Sequence, residues 1–381
     1  MRGLTIRLAR AYGFCQGVER AVELALAAAR EKEAAPGSGR RAGGKPASRL
    51  FVTGEIIHNP SINVRLGNAG IVMLDPPGTA GRLAGILPSD RVIIPAFGID
   101  LEEFEKLRSI GCEVIDTTCG WVRRVWKASA EFTQAGFTIV IHGRAEHEET
   151  RATASRVRGP WIIVKDTGEA AALGTAIRER GFRAAGEWRG RASAGFDPGR
   201  DLERIGLVNQ TTMLEQETRE IARILREAIR RRDGARPSED RFRALDTFCT
   251  ATQRRQEAVR ALIAEEDLQC LIVVGGFRSS NTAHLAGLGA EGVPTYHVED
   301  ASCLESDAVV RHRPLGKERP VRTRGWLPRV PRVIGVTAGA STPDEETGRI
   351  LKRLAEIHEA TESATSGREP PAAGDDSKGP H

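Results

Sequence analysis

Three cysteines of this chain share one sequence setting, and thiols in that setting can bind a metal or act as nucleophiles. Cys119 and Cys249 end two nearly identical tetrapeptides, DTTC and DTFC, and Cys15 lies in the similar segment AYGFCQGVERAVELALAAA. A stretch with helical periodicity follows each cysteine. A thiol at the start of a helix lies beside free backbone N–H groups and the positive end of the helix dipole, which favour the thiolate. The setting therefore predicts three reactive thiolates in three parts of the chain.

The metal chemistry open to three such thiolates takes two forms. Soft sulfur ligands suit an iron–sulfur cluster with one incompletely ligated iron, or a zinc ion held by three thiolates. Either metal could keep one coordination position open for a substrate. The remaining cysteines have other settings: Cys112 and Cys270 lie against predicted strands as small core residues, and Cys303 lies in a predicted loop. The spacing of the cysteines leaves both forms open.

The elements that must position these residues alternate between strand and helix. Seven apolar runs read as buried strands, several of which end in Gly, Thr, Asn or His just before a helical stretch: LFVTGEIIH, RVIIPAFG, FTIVIHG, PWIIVKD, IGLVNQT, LQCLIVVGG and RVIGVTAGA. Such alternation predicts an α/β fold with largely parallel sheets, in which ligands bind at the carboxyl ends of the strands. The repeat of strand, cysteine and helix predicts three α/β modules related by duplication or convergence.

The composition narrows the class of protein. A chain of 381 residues with 40% hydrophobic and 28% charged residues is typical of a globular protein with two or three domains. No apolar run approaches the roughly 18 residues of a membrane span, and the start, MRGLTIRLARAYGF, lacks the apolar core of a signal peptide. We therefore expect a cytoplasmic protein without a membrane partner. The net charge of +5 suits an anionic ligand. The arginines of the chain are scattered along the sequence, however, and this scatter favours a solvated basic surface over a nucleic-acid-binding surface.

Two polar segments have the composition of unstructured chain. Residues 31–48 (EKEAAPGSGRRAGGKPAS) are rich in Gly, Pro, Ser and Arg and predict a flexible insertion. Residues 359–381 predict a disordered tail. Neither segment suggests a function.

Eight segments match one protein family in order along the chain: GFCQGVERAVE, GEIIHNP, DTTCGWVRRVW, HGRAEHEETRATAS, NQTTML, FCTATQRRQEA, GGFRSSNTAHL and GVTAGASTPDE. From about residue 5 to about residue 355 the chain resembles the LytB family of 4-hydroxy-3-methylbut-2-enyl diphosphate reductases, and it is most similar to the plant and cyanobacterial branch. The resemblance implies three α/β domains with mainly parallel sheets, arranged as a pseudo-three-fold trefoil around a central [4Fe–4S] cluster. It implies that Cys15, Cys119 and Cys249 hold the cluster.

The resemblance also implies a division of the chain and a reaction. The implied domains are residues 17–118, 119–248 and 249–358, with the strand and cysteine of residues 1–16 joining the last of them. The implied reaction is the reductive dehydroxylation of (E)-4-hydroxy-3-methylbut-2-enyl diphosphate to isopentenyl and dimethylallyl diphosphate, the last step of the non-mevalonate isoprenoid pathway. The electrons would come from a donor such as ferredoxin or flavodoxin.

The resemblance assigns roles to two further sets of residues. The implied catalytic set comprises a proton donor, a substrate-contacting histidine and a threonine near the substrate hydroxyl, namely Glu149, His147 and Thr211. The implied substrate-binding set also contains His147 and Thr211 and adds the diphosphate contacts His58, Ser279, Ser280, Asn281 and Ser341. From the residues alone, the segment that contains His147 and Glu149 could be an ordinary acidic helix start. Thr211 could be a turn residue, and the segment after Ser341 could be a helix cap.

Two positions depart from the pattern of many bacterial members. Phe97 stands where those members have a histidine, and it cannot hydrogen-bond a diphosphate. Gly120 stands where a proline usually follows the middle cysteine, which removes some rigidity from the helix start. Two other classes remain as alternatives: a nucleic-acid-binding protein with structural cysteines, and a zinc hydrolase that uses the same three thiolates.

Overall fold

In the computed structural model of the chain, residues 3–34, 48–182, 186, 188–234 and 240–366 are described. Within them the strands are β1 Leu4–Leu8, β2 Leu50–Val52, β3 Ile71–Met73, β4 Arg91–Ile94, β5 Glu113–Asp116, β6 Thr138–His142, β7 Trp161–Val164, β8 Ile205–Asn209, β9 Phe242–Ala244, β10 Cys270–Val274, β11 Thr295–Val298, β12 Val309–His312, β13 Val321–Arg324 and β14 Arg332–Ala338. The α-helices are α1 Gln16–Ala34, α2 Pro60–Asn68, α3 Leu101–Ile110, α4 Gly120–Gln134, α5 Glu148–Ala154, α6 Thr167–Glu179, α7 Pro198–Asp201, α8 Glu215–Asp233, α9 Thr250–Ile263, α10 Ser280–Ala290 and α11 Asp344–Ser366.

Three four-stranded sheets of one topology organise the chain. Their strand orders are β3-β2-β4-β5 in the first module, β7-β6-β8-β9 in the second and β11-β10-β14-β1 in the third. All strand pairs in these sheets are parallel. If the strands of each sheet are counted from β2, β6 and β10, with β1 as the fourth strand of the third sheet, every sheet has the order second, first, third, fourth. Helices cover both faces of such sheets, so their strands are continuous apolar runs. The predicted α/β class with mainly parallel sheets is confirmed, and so are the seven predicted strands.

The fourth strand of each sheet leads directly to one of the three cysteines that share a setting. Cys119 follows β5, Cys249 follows β9, and Cys15 follows β1. The third sheet takes this strand from the start of the chain, since Leu4 to Leu8 pair with Arg332 to Val336 of β14. The three cysteines therefore occupy equivalent positions in three structural repeats.

The helix after each cysteine packs against the sheet of the following module. Small residues of α1, including Ala21 and Ala25, pack with Leu50 of β2 in one buried cluster. In the same way α4 packs against β6, and α9 packs against β10. Each cysteine consequently lies at a junction between two modules, where a movement of either module would displace its thiol.

The structure differs from the sequence-based expectation at three places. Helix α1 continues to Ala34 and α11 to Ser366, so residues 31–34 and 359–366 are helical because strong helix formers such as Glu, Lys and Ala extend both helices. The rest of the predicted insertion and tail, 35–47 and 367–381, lies outside the described residues. Cys303 does not lie in an open loop: it ends a short 3₁₀ turn, and its side chain is fully buried in the core of the third module. None of the described helices is both long and apolar enough to span a membrane.

Candidate active site

A cavity lies where the three modules meet. Its walls come from the carboxyl ends of strands in all three sheets and from the first turns of the helices that follow them. The walls include all eleven residues that the sequence analysis singles out: Cys15, His58, Cys119, His147, Glu149, Thr211, Cys249, Ser279, Ser280, Asn281 and Ser341. Residues from distant parts of the sequence are thus brought to one site.

The three cysteines each cap a helix with their backbone carbonyl oxygen. The carbonyl oxygens of Cys15, Cys119 and Cys249 accept the first hydrogen bond of α1, α4 and α9, at N···O distances of 2.9, 3.1 and 3.0 Å. The thiols of Cys119 and Cys249 make no capping hydrogen bond. The predicted helix-start setting is confirmed at all three positions, and the sulfur atoms remain available to a ligand in the cavity.

Burial changes the expected acidity of these thiols. The pKa of Cys119 and the pKa of Cys249 both lie above the ordinary value, because burial disfavours the thiolate more than the nearby backbone N–H groups favour it. The expectation of a lowered pKa is therefore wrong for these two residues in the protein alone. Buried thiols that resist ionisation become thiolates when a metal centre supplies the positive charge.

The spacing of the sulfur atoms bears on which metal could fit. Thiolates around one tetrahedral zinc ion lie about 3.8 Å apart, given Zn–S bonds of about 2.3 Å. Within the described part of the chain, the group of metal-binding side chains whose donor atoms all lie within 4.8 Å of one another is His58, His147 and Glu148; the three cysteines do not form such a group. Sulfur atoms farther apart suit a cluster in which each thiolate binds a different metal atom.

Gly17, the second residue of α1, lies against the sulfur of Cys119. A Cβ atom added at Gly17 would come 2.6 Å from Cys119 Sγ and 4.0 Å from Cys15 Sγ. A methyl group cannot occupy that position unless the Cys119 side chain moves, since real Cβ atoms do not approach heavy atoms so closely. Only a glycine at this position leaves both sulfur atoms where they are.

We expect Gly17→Ala to lower the metal content of the protein by more than half, because the added methyl group displaces the Cys119 thiol. Gly120→Ala is the matched control: Gly120 opens the equivalent helix α4, and a Cβ atom there meets nothing within 4 Å. Iron, zinc and sulfide per chain would be measured on both anaerobically purified variants. Equal metal content in the two variants would contradict this interpretation.

Glu149 is a buried acid held by a single residue of the neighbouring loop. Its two carboxylate oxygens accept hydrogen bonds from the backbone N–H and the hydroxyl of Thr211, at 2.6 and 2.9 Å. Burial raises the pKa of Glu149 to about 7, although both hydrogen bonds from Thr211 act in the opposite direction. A carboxylic acid with a pKa near neutrality can hold and release a proton under physiological conditions.

His147 caps the helix that carries Glu149. Its Nδ1 accepts a hydrogen bond of 3.2 Å from the backbone N–H of Glu149, which leaves the ring proton on Nε2. Burial and the positive charge of His58 lower the pKa of His147, so the ring is neutral. The side chain can therefore donate a hydrogen bond from Nε2 within the cavity without adding charge.

His58 is the cationic group of the site. Its Nδ1 lies 2.8 Å from Glu55 and its Nε2 lies 3.3 Å from Glu148. Burial opposes a charge on the ring, but the two carboxylates raise the pKa of His58 to about 9, so it is an imidazolium at neutral pH. Phe97 stacks on this ring, with centroids 4.8 Å apart. A cation over an aromatic face is stabilised, which gives Phe97 a role that does not need a hydrogen bond.

The two carboxylates beside His58 also reach the third module. Arg278 lies 3.4 Å from Glu55 and 3.3 Å from Glu148, so one ion cluster joins residues of all three modules at the edge of the cavity. Sequence analysis did not identify Glu55, Glu148 or Arg278 as part of the site. The sequence offered a signal for the two glutamates. Glu55 lies three residues before His58, and Glu148 lies between His147 and Glu149.

A corner of hydroxyl and amide side chains lies at the start of α10. The Ser279 hydroxyl caps the helix by accepting a hydrogen bond from the Thr282 N–H, and it also accepts one from the Ser341 hydroxyl at 3.3 Å. Asn281 uses its carbonyl oxygen to accept from the Ala340 N–H at 2.9 Å, while its buried Nδ2 has no partner among the described residues. An unpaired buried donor beside a helix N-terminus fits a phosphate oxygen.

Arg255 is a further residue of the site that the sequence analysis missed. Its buried guanidinium donates to the backbone oxygens of Gly13, Phe14 and Ala251, at 2.6, 3.0 and 2.7 Å. These bonds fasten the loop before Cys15 to the helix capped by Cys249. The sequence shows two adjacent arginines, Arg254 and Arg255, and gives no sign of which is buried.

Comparisons with known proteins agree with this geometry. The family model described as LytB protein matches residues 6–355. A 4-hydroxy-3-methylbut-2-enyl diphosphate reductase of Gloeobacter violaceus is 41% identical over 372 residues, covering 96% of this chain and 86% of that protein. The reductase of the same name from Synechocystis sp. is 39% identical over 360 residues, covering 94% and 91%.

Solved structures give the same result. A structure described as (E)-4-hydroxy-3-methyl-but-2-enyl diphosphate reductase, the terminal enzyme of the non-mevalonate pathway, is 28% identical with a TM-score of 0.55, and covers 92% of this chain and 99% of its own. A structure described as the E-1-hydroxy-2-methyl-but-2-enyl-4-diphosphate reductase from Plasmodium falciparum is 19% identical with a TM-score of 0.64. It covers 93% of this chain and 89% of its own, and it supports the fold alone. The chain belongs to the LytB family.

Proposed function

We propose that the protein reduces (E)-4-hydroxy-3-methylbut-2-enyl diphosphate to isopentenyl and dimethylallyl diphosphate, the last step of the non-mevalonate isoprenoid pathway. The observation that carries the proposal is one cavity that unites three cysteine thiols, a buried acid and a corner of hydroxyl and amide side chains. The names of the relatives, which are similar to this chain over nearly its whole length, support the same reaction.

The proposed cofactor is a [4Fe–4S] cluster held by Cys15, Cys119 and Cys249. The soft donors and their position at the three module junctions fit this group. When bound, such a cluster supplies single electrons and an iron that acts as a Lewis acid. An electron donor such as ferredoxin or flavodoxin completes the proposal.

We also propose that the domain boundaries lie at the cysteines and that residues 1–16 join residues 249–358. The reasons are that β1 pairs with β14 and that α1 packs on the next sheet.

Glu149 is proposed to donate the proton with which the substrate hydroxyl leaves as water. The reaction consumes two electrons and two protons and breaks one carbon–oxygen bond. A hydroxyl group is a poor leaving group until it is protonated, and Glu149, whose pKa is about 7, can hold and release a proton near neutral pH inside the cavity. Thr211 orients the carboxyl group through two hydrogen bonds, and His147 offers Nε2–H to the substrate.

The diphosphate is proposed to bind between His58 and the start of α10. The His58 imidazolium supplies positive charge, while Ser279, Ser280, Asn281 and Ser341 supply neutral donors. In the protein alone, both ring nitrogens of His58 face carboxylates, and the Nε2 bond to Glu148 is the longer. We infer that a diphosphate oxygen takes the place of Glu148 at Nε2, because an anion of higher charge competes well for that proton.

We expect Asn281→Asp to weaken substrate binding about ten- to hundredfold, since it removes a donor to a charged group and adds a negative charge. The Asp carboxylate keeps the oxygen that accepts from the Ala340 N–H, so the fold of the loop is preserved. Isothermal titration with the substrate under anaerobic conditions measures the affinity. Asn68→Ala, at the exposed end of α2, is the control. Unchanged affinity together with a large fall in turnover at saturating substrate would contradict a binding role.

The function is tested by anaerobic turnover of the hydroxymethylbutenyl diphosphate with reduced methyl viologen. The expected products are the two five-carbon diphosphates, with reductant consumed at two electrons per product molecule. Metal analysis and visible absorption of the same preparation separate the reductase from the zinc hydrolase. A colourless protein that contains zinc, and that releases no isopentenyl diphosphate, would contradict the proposal.

A further inference from the structure

The three helices capped by cysteine share a second feature that the site does not use. Each carries an arginine five residues after its cysteine, in the segments CQGVER, CGWVRR and CTATQRR. These arginines are Arg20, Arg124 and Arg254, and all three are exposed. Equivalent positions in three structural repeats therefore carry the same cationic side chain.

The three helices also have the same rotational setting about their axes. The first, fourth, fifth and eighth residues after the cysteine are exposed in α1 and α4, and in α9 the same positions are exposed except for the half-buried Gln253. The sixth residue after each cysteine is buried: Ala21, Val125 and Arg255. Because the three helices begin at cysteines that line one cavity, their exposed stripes all start beside that cavity. We call these three stripes together the arginine face.

The arginine face approaches the three thiols closely. Its innermost residues, Gln16, Gly120 and Thr250, each follow a cysteine directly and are exposed. Cys15 and Cys119 themselves are only half-buried. Solvent therefore comes within one residue of the proposed cluster ligands on this side, which makes it a short route for electrons from outside.

The arginines of this face are available to a partner. Among the described residues, none of Arg20, Arg124 and Arg254 forms an ion pair with a carboxylate. Arg124 lies over the ring of Trp121, at 5.3 Å, and Trp121 lines the cavity beside Cys119. The stripe of α4 also carries Arg123, which pairs with Asp116 at 2.9 Å, and Lys127, which lies 3.8 Å from Glu131. Guanidinium groups bind carboxylates through paired hydrogen bonds, so the face suits an acidic partner.

We propose that the arginine face is the docking surface of a small acidic protein that carries one electron at a time. This rests on the proposed function, which consumes two electrons that the substrate does not supply. The face alternates its cations with Glu19, Glu23 and Glu257, so it matches discrete carboxylates of a protein better than the continuous negative charge of a nucleic acid. Its charges act mainly by steering the encounter, which makes docking dependent on salt.

The test compares two electron donors on the intact protein with its cofactor. The variant combines Arg20→Ala, Arg124→Ala and Arg254→Ala, and the control combines Arg219→Ala, Arg223→Ala and Arg230→Ala on α8, which removes the same charge from exposed positions elsewhere. With an acidic [2Fe–2S] ferredoxin at low salt, we expect the first variant to raise the KM for ferredoxin about tenfold or more. At about 0.5 M salt the difference from the wild type disappears, because salt screens these charges. With reduced methyl viologen, the turnover of both variants stays within twofold of the wild type.

Four results would overturn the proposal. The first is an unchanged KM for ferredoxin, and the second is an equal rise in the control variant, which would reflect net charge alone. The third is a loss of turnover with methyl viologen as well, which would mean that the arginines support the site itself. The fourth is a loss of binding to single-stranded RNA with no change in the KM for ferredoxin, which would assign the face to nucleic acid. Failure of the wild type with methyl viologen would instead count against the proposed function.

Discussion

Glu149→Gln is expected to slow turnover by about 10²–10⁴-fold while leaving substrate affinity within a few-fold of the wild type. Glutamine keeps the size of the side chain, and its carbonyl oxygen can still accept from Thr211, but it has no acidic proton to give. The wild-type carboxyl group is buried with a pKa of about 7, so it is well suited to hold that proton until the substrate hydroxyl leaves. The rate should be measured in single turnovers at saturating substrate, with methyl viologen as donor.

The control for this variant is Glu146→Gln, an exposed glutamate of the loop just before α5, which should turn over like the wild type. Iron and sulfide must also be measured on both variants. Turnover of Glu149→Gln within a few-fold of the wild type would remove Glu149 from the proposed role. Loss of the cofactor from Glu149→Gln would do the same, because the defect would then be structural.

The raised pKa of Glu149 also fixes the direction of two pH dependences. Turnover that needs the protonated acid falls as the pH rises through about 7. Between pH 4.5 and about 7 the folded chain holds a proton at Glu149 that the unfolded chain has released, so the free energy of unfolding of the wild type falls across this window. Across this window, the free energy of unfolding of the wild type is expected to fall by on the order of 3 kcal/mol relative to that of Glu149→Gln. Urea unfolding under anaerobic conditions at pH 5 and pH 8 measures it.

Cys119→Ser is expected to remove most of the iron and the visible absorption, and with them all measurable turnover. Serine keeps the helix cap, which uses only the backbone oxygen, but a hydroxyl is a hard donor that stays protonated where a thiolate would bind iron. Cys112→Ser is the matched control. Its thiol is buried away from the cavity and donates to the Leu107 carbonyl oxygen at 3.5 Å, a bond that serine can keep.

Iron, sulfide and the absorption spectrum should be determined for both cysteine variants after anaerobic purification. Retention of the full iron content by Cys119→Ser would exclude Cys119 as a ligand. An equal loss from Cys112→Ser would show that the measurement reports general instability. Cys303 serves less well as a control because its side chain is completely buried in the core, where serine would leave a hydroxyl among apolar groups.

Parts of the fold followed directly from sequence patterns, since parallel strands buried on both faces are continuous apolar runs. The seven strands predicted in this way occupy the middle of the sheets or the edge strand β7. Short strands such as β3 and β9 have three residues each and carry exposed positions, so they give no comparable signal. The pairing of β1 with β14 joins residues 4 and 332, a separation at which no local pattern acts.

The site shows a similar limit. Three cysteines in matched settings pointed to one metal centre, because the setting is local and repeated. The acidity of Cys119 depends instead on how deeply three modules bury it, and this tertiary effect outweighs the local effect of the helix start. The contributions of Gly17 and Arg255 likewise depend on atoms from other modules that approach them in space.

The pairing of β1 with β14 constrains when the site can form during protein synthesis. β1 is an edge strand whose sheet neighbour is β14, and the segment after β1 carries Cys15. A nascent chain emerges from the ribosome with its N-terminal domains folding first. The first two modules can thus fold while β1 still lacks its neighbour, and Cys15 reaches its final position only after residue 338 has left the exit tunnel. Loading of a cofactor that needs all three thiols must therefore follow translation of all three modules.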